Sequence, residues 1–151
     1  MTTTYSNLPT CTRRLEFDAG HRVALHDGKC KNLHGHRYVV EITCQANEEL
    51  LPEGYVIDFG VIKKEVGTWI DDNLDHTVIY QRSDEYMSEL AMLSEANGMR
   101  PWYPMDDAPT AENIAVLLFR TANMLLDTHA VRVISVRVHE TPNCFAHYQP
   151  E

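Results

Sequence analysis

Positive charge is scarce in this chain. Lys and Arg number 13 against 22 Asp and Glu in 151 residues, a formal charge of −9. Broad nucleic-acid binding rests on neutralising phosphates with Lys and Arg, so this balance excludes a general polyanion binder. Long apolar runs are also missing. The longest, 114–119, is six residues, against roughly 20 for a membrane span, and no membrane association is expected. The opening MTTTYSNLPT has neither the basic start nor the apolar stretch of a secretory signal. A cytoplasmic setting is therefore expected, where thiols stay reduced. The four cysteines, Cys11, Cys30, Cys44 and Cys144, form no CxxC pair, which excludes a cysteine-rich zinc finger. No repeat or low-complexity tract interrupts the chain, and its length fits one domain over 1–151. What the chain does hold is histidine, eight in all.

Periodicity sets the expected elements. Leu15, Phe17 and Ala19 alternate with polar neighbours, predicting a strand over 13–19. His34, His36, Tyr38, Val40, Ile42, Cys44 and Ala46 share one parity, predicting a second strand over 34–46. A third is expected within 53–59, and a last one over 131–141, with Ile134, Val136, Val138 and Glu140 on one face. Ile62, Val66, Trp69, Ile70 and Leu74 predict a helix over 60–73. Thr110 is the expected N-cap of another, with Glu112 in its first turn and Ile114, Leu117, Leu118 and Leu125 on its buried stripe. The stretch 81–108 reads as a partly helical insertion, capped by Ser83 or Asp84 and ended by Gly98, with Trp102 and Tyr103 in a following loop. The class is α+β, an antiparallel sheet with helices on one face.

The pattern His34-Gly35-His36 carries the first chemistry. In a strand, residues i and i+2 share a face about 6.6 Å apart, so two imidazoles can converge on one ion. The bland alternative is a pair of surface histidines at a strand end. His21 has the parity of Leu15, Phe17 and Ala19, and antiparallel pairing of the first two strands brings it to the same place. Three imidazoles without a fourth protein ligand form a catalytic zinc pattern, its open position free for water or substrate. Cys30, between Lys29 and Lys31, reads as a reactive thiol in a positive setting or as an ordinary loop thiol. Asp75 beside His76 reads as an oriented acid–base pair or as a solvated helix end. Glu140 points where apolar groups point, so its carboxylate needs donors. An Arg, backbone N–H groups, or a ligand with a fork of N–H donors such as a pterin or guanine would each serve.

Six motifs in order then resemble a known family: Phe17-Asp18-Ala19-Gly20-His21, Cys30 followed by His34-Gly35-His36, Val56-Ile57-Asp58-Phe59, Leu74-Asp75-His76, Pro109-Thr110-Ala111-Glu112-Asn113 and Glu140-Thr141. Together they resemble the 6-pyruvoyltetrahydropterin synthases, and the three residues between Cys30 and His34 resemble their bacterial 6-carboxytetrahydropterin synthase branch. The resemblance implies a tunnelling fold, four antiparallel strands and two helices per subunit that close into a barrel by trimerisation. Two trimers would stack as a homohexamer, with active sites between subunits. It implies zinc on His21, His34 and His36, Cys30 as base, Asp75 and His76 as acid–base relay, and Glu140, Thr110 and Glu112 at the pterin. The implied reaction is a lyase cleavage of 7,8-dihydroneopterin triphosphate to 6-carboxytetrahydropterin, acetaldehyde and triphosphate, in queuosine or other 7-deazapurine biosynthesis. The alternatives are the pyruvoyl-forming synthase and a non-catalytic pterin- or zinc-binding protein. Arg22, Lys29, Lys31 and Arg37 are expected to meet the phosphates, and His129, His139 and His147 to lie at the surface.

Overall fold

In the computed structural model, which describes residues 7–151, six strands form one sheet. They are β1 (Thr10–His21), β2 (His34–Ala46), β3 (Thr77–Gln81), β4 (Tyr103–Met105), β5 (Val131–Thr141) and β6 (Cys144–Tyr148), in the order β4-β3-β1-β2-β5-β6. Residues 1–6, part of the opening segment read above for a signal, lie outside the described residues. The run β1-β2-β5-β6 is antiparallel throughout, the four-stranded sheet expected. The short β3 and β4 extend its β1 edge in parallel.

Parity sorts the faces. Leu15, Phe17 and Ala19 of β1 and Tyr38, Val40, Ile42 and Cys44 of β2 are buried, while Glu16, Arg14 and Arg37 between them face out. In β5 the alternation slips. The β2–β5 register shifts between Thr43 and Cys44, so Val133, not the expected Ile134, is buried beside Val136 and Val138. A bulge of this kind inserts one residue and turns the following side chains to the other face.

The helices cover the apolar face. Residues 59–73 form one rod, α1 (Phe59–Ile62) and α2 (Thr68–Asn73) joined by a π-helical segment, Lys63–Gly67. Its buried side chains, Ile62, Val66, Ile70 and Leu74, recur every four residues. Steps of four drift around an ordinary α-helix, and the wider i→i+5 turn holds them on one line. The strand expected within 53–59 does not form. Val56 and Ile57 are buried in succession, which no two-residue period allows, and Asp58 accepts from Gly60 N at 2.6 Å to start the rod. Helix α3 (Glu85–Ala96) gives 81–108 its expected helical part, its cap Asp84 accepting from Met87 N, with Met87 and Ala91 buried and Gly98 in a left-handed turn. Tyr103 belongs to β4 rather than to a loop, because 103–105 pair with 79–81. Helix α4 (Ala111–Leu125) is capped by Thr110 and presents Ile114, Leu118 and Ala122 to the core, with Leu126 just beyond. Leu117 and Leu125, expected on that stripe, are only partly buried. Among the described residues no helix is long and apolar enough to cross a membrane.

Leu118 is fully buried at the centre of this packing. Leu118→Ala is expected to lower stability by about 2–5 kcal/mol through lost contacts and a residual cavity. Glu95→Ala on the exposed side of α3 is expected to stay within about 0.5 kcal/mol. Denaturant unfolding of both variants checks the contrast.

Candidate active site

The β1–β2 ladder ends where the histidines begin. His21 pairs with His34, Gly20 with Gly35 and Ala19 with His36. The crossing is tight at Gly35, where a Cβ would lie 3.2 Å from Ala19 O. The ring centroids of His21, His34 and His36 are 4.7–5.1 Å apart. One ring nitrogen from each lies within 4.8 Å of the others.

Protons can be assigned from the partners. His21 Nδ1 is 2.7 Å from Pro109 O, and His34 Nδ1 is 2.7 Å from Asn32 O. A carbonyl only accepts, so each Nδ1 carries the hydrogen and each neutral ring has its lone pair on Nε2. His21 Nε2 and His36 Nε2 are buried without a hydrogen-bond partner. Glu140 stands against both, Oε1 3.8 Å from His21 Nε2 and Oε2 3.9 Å from His36 Nε2. At His21 a lone pair faces the carboxylate with no proton between them, an arrangement that a cation satisfies. The orphaned nitrogens, the fixed tautomers and the all-imidazole donor set fit a zinc-type ion. Burial holds the His21 and His36 imidazoles below the usual histidine range, against the Pro109 hydrogen bond at His21 and the Glu140 charge at both, with the neighbouring imidazoles adding to the lowering. The lowering favours the neutral ring, the form a metal requires.

Tyr38 forms the floor, edge-on to His21 and His36 at 5.8 and 5.5 Å and stacked on Phe17 at 4.9 Å. Its buried hydroxyl has no partner, and burial pushes its ionisation far above the usual phenol range. Nothing in its apolar strand parity distinguishes it from a plain core aromatic.

A cavity of about 270 Å³ opens beside the cluster, lined by His21, Cys30, Thr110, Glu112 and Glu140 among others. Five predicted site residues from β1, the 22–33 loop, α4 and β5 thus meet at one place. His26 and Cys144 line the same cavity. Cys144 carried no signal in the sequence. It arrives because β6 turns back immediately after Glu140, and its Sγ sits 3.0 Å from Thr141 Oγ1. Glu140 itself lies where the β5–β6 register shifts between His139 and Thr141, a bulge that aims the carboxylate at the histidines. Cys30 rides on a single 3-10 turn, Lys29–Lys31, with Val23 N donating to Cys30 O at 2.8 Å.

Asp75 and His76 lie elsewhere. They follow α2, and His76 lines a shallow depression with Asp18, His36 and Arg37. Asp75 Oδ2 accepts from His76 Nδ1 at 2.7 Å, and its Oδ1 accepts from Asp18 N at 2.9 Å. Partial burial raises the Asp75 carboxyl, but the Asp18 N–H, His76 and Arg100 outweigh it and leave the group below the usual range. His76 adopts a left-handed φ of 57°, pinned by its N–H on Asp18 O at 2.7 Å. Among the described residues no hydrogen bond or ion pair joins this pair to Cys30.

The basic residues divide as well. Arg22 is clamped to Asp84, and Arg37 bonds Glu16 and Asp18 at 2.7 and 3.0 Å. Both were expected to face phosphate, but carboxylates already neutralise them. Lys29 and Lys31 are exposed beside Cys30. Of the remaining histidines, His139 bonds Glu41 at 3.1 Å and His147 accepts from Arg137 at 3.3 Å.

Known proteins resemble this chain in sequence and in fold. A 6-carboxy-5,6,7,8-tetrahydropterin synthase of Rickettsia conorii is 46% identical over 137 residues, 89% of this chain and 96% of the relative. One from Haemophilus influenzae is 36% identical over 141 residues, 91% of this chain and 96% of the relative. Among solved structures, an uncharacterized protein from Wolinella succinogenes superposes with a TM-score of 0.82 at 22% identity, covering 95% of this chain and 99% of that one. The Caenorhabditis elegans 6-pyruvoyl tetrahydropterin synthase gives a TM-score of 0.67 at 24% identity, covering 95% and 96%. The family model described as 6-pyruvoyl tetrahydropterin synthase matches residues 10–151. The chain belongs to the 6-pyruvoyl tetrahydropterin synthase family.

Proposed function

We propose that the chain is a zinc-dependent 6-carboxy-5,6,7,8-tetrahydropterin synthase, a lyase that converts 7,8-dihydroneopterin triphosphate to 6-carboxytetrahydropterin, acetaldehyde and triphosphate. The observation that carries this reading is the cavity in which His21, Cys30, Thr110, Glu112 and Glu140 meet, with the His34 and His36 rings packed against His21. Relatives that bear the synthase name support it. His21, His34 and His36 would hold the zinc, which when bound supplies Lewis acidity toward the hydroxyls of the substrate side chain. Glu140 presents two acceptor oxygens, which match the N3–H and 2-amino fork of a pterin ring. Thr110 and Glu112 line the same wall. Cys30 is the base that removes a carbon-bound proton next to the ring. Asp75 keeps the hydrogen on His76 Nδ1, so Nε2 can accept and return protons. Lys29 and Lys31 face the triphosphate. The separation of Asp75 and His76 from Cys30 within one subunit favours a homohexamer in which the pair of one subunit serves the cavity of another. A single catalytic domain, a cytoplasmic setting and a place in 7-deazapurine biosynthesis complete the reading.

Four results are expected. Purified zinc-loaded protein given 7,8-dihydroneopterin triphosphate releases acetaldehyde and the 6-carboxy product. Cys30→Ala cuts kcat by about 10²–10⁴-fold while pterin binding persists. Accumulation of the 6-pyruvoyl product would move the reading to the pyruvoyl synthase, and pterin binding with no turnover to a non-catalytic binder. Lys29→Gln and Lys31→Gln raise KM for the triphosphate more than Lys63→Gln and Lys64→Gln, most clearly at low salt. Zinc retention follows the lowered His21 and His36 ionisation. Stoichiometric zinc persists as pH falls through about 6.5, the ordinary histidine value, and is lost only in more acid solution. Metal analysis after dialysis across a pH series reads this directly.

A further inference from the structure

Arg22 follows a proposed metal ligand, yet its guanidinium turns away from the cavity toward 81–108. Nε and Nη2 donate to the two carboxylate oxygens of Asp84 at 2.7 and 2.8 Å. Asp84 is the N-cap of α3, and its side chain is 7% exposed against 22% for Arg22. The third nitrogen, Nη1, reaches Lys31 O at 3.4 Å, and the guanidinium carbon lies 5.0 Å above the ring of Tyr86. One side chain thus joins β1, the start of α3 and the far end of the turn that holds Cys30. The other bonds of the turn are short-range: Val23 N to Cys30 O at 2.8 Å, Lys31 N to Gly28 O at 3.4 Å, and the Asn32 backbone and side-chain N–H groups both to Lys29 O at 3.0 Å. None of them ties the turn to α3, and Lys29 and Lys31 are exposed.

From this we infer that Arg22 is a positioning residue for the Cys30 loop, and that the 81–108 segment serves to anchor it through Asp84. A planar fork held by two carboxylate oxygens fixes direction as well as distance. A partly buried pair of this kind resists competition from water and salt better than a surface pair. Lys at position 22 would keep the charge but lose the second donor, the reach to Lys31 O and the face over Tyr86. The inference rests on the proposed lyase reading only for its effect on turnover.

Amide hydrogen exchange on the zinc-loaded protein tests it. Arg22→Gln and Asp84→Asn, the latter keeping an oxygen for the Met87 N–H, are each expected to speed exchange in 22–33 by about tenfold or more, while the β2–β5 ladder is unchanged. The double variant adds little to either single change, as expected for partners in one interaction. Zinc stoichiometry stays constant. With 7,8-dihydroneopterin triphosphate, kcat falls about tenfold with KM within about twofold, the pattern of a displaced reacting group. Unchanged exchange in 22–33, exchange rising equally in every segment, or effects of the two changes that simply multiply would overturn the inference. Loss of loop protection in a protein whose wild type makes no product would uphold the brace and sink the lyase reading instead.

Discussion

The pairing register of β1 with β2 is the constraint on which the site depends. Side chains alternate with a period of two, so a slip of one residue would send all of them to the opposite face. With His21 opposite His34 and Ala19 opposite His36, the histidines extend the same face as Leu15, Phe17, Tyr38 and Val40. The register that buries the core therefore also gathers the imidazoles. Core packing enforces the site geometry, because moving the histidines would expose Phe17 and Tyr38, which are almost wholly buried.

That coupling has a cost. Imidazole nitrogens without partners are unfavourable in an apolar surround. The structure reduces the cost on one side only, where Pro109 O and Asn32 O accept the Nδ1 hydrogens of His21 and His34. The Nε2 side is left to whatever binds there. Glu140 cannot relieve it, since an ionised carboxylate is an acceptor too. A cation held by the three imidazoles would satisfy their lone pairs, and Glu140 on the cavity wall keeps its oxygens for a donor that enters there.

Much of this was legible in the sequence because the strands carrying it are long and strictly alternating. The shared face of His21, His34 and His36 and the cap Thr110 followed from local period and residue type, and the cap of α3 was narrowed to Ser83 or Asp84, of which the fold uses Asp84. What local period could not show was tertiary. Ile134 lost its inward place to a bulge opposite Thr43 and Cys44, which depends on the partner strand. The parallel strands β3 and β4 are five and three residues long and owe their form to the β1 edge. The π-segment resolves a four-residue repeat that reads as an ordinary helix. Cys144 enters the cavity through a hairpin between β5 and β6, and no motif marks it.

Charge shows the same limit more sharply. Arg22, Lys29, Lys31 and Arg37 look alike in a chain of net charge −9, four cations around one motif. In the fold they separate by partner. Arg37 lies on the outward face of β2, where alternation puts it beside Glu16 and Asp18 of β1. Arg22 leaves β1 at its end and meets the cap of α3. Both are consumed by internal carboxylates that the acidic composition supplies in excess. Lys29 and Lys31 are exposed on a three-residue 3-10 turn, and among the described residues no ion pair holds either of them. An acidic protein can thus keep a small positive spot at a cavity mouth only where the backbone holds its lysines beyond the reach of its own carboxylates.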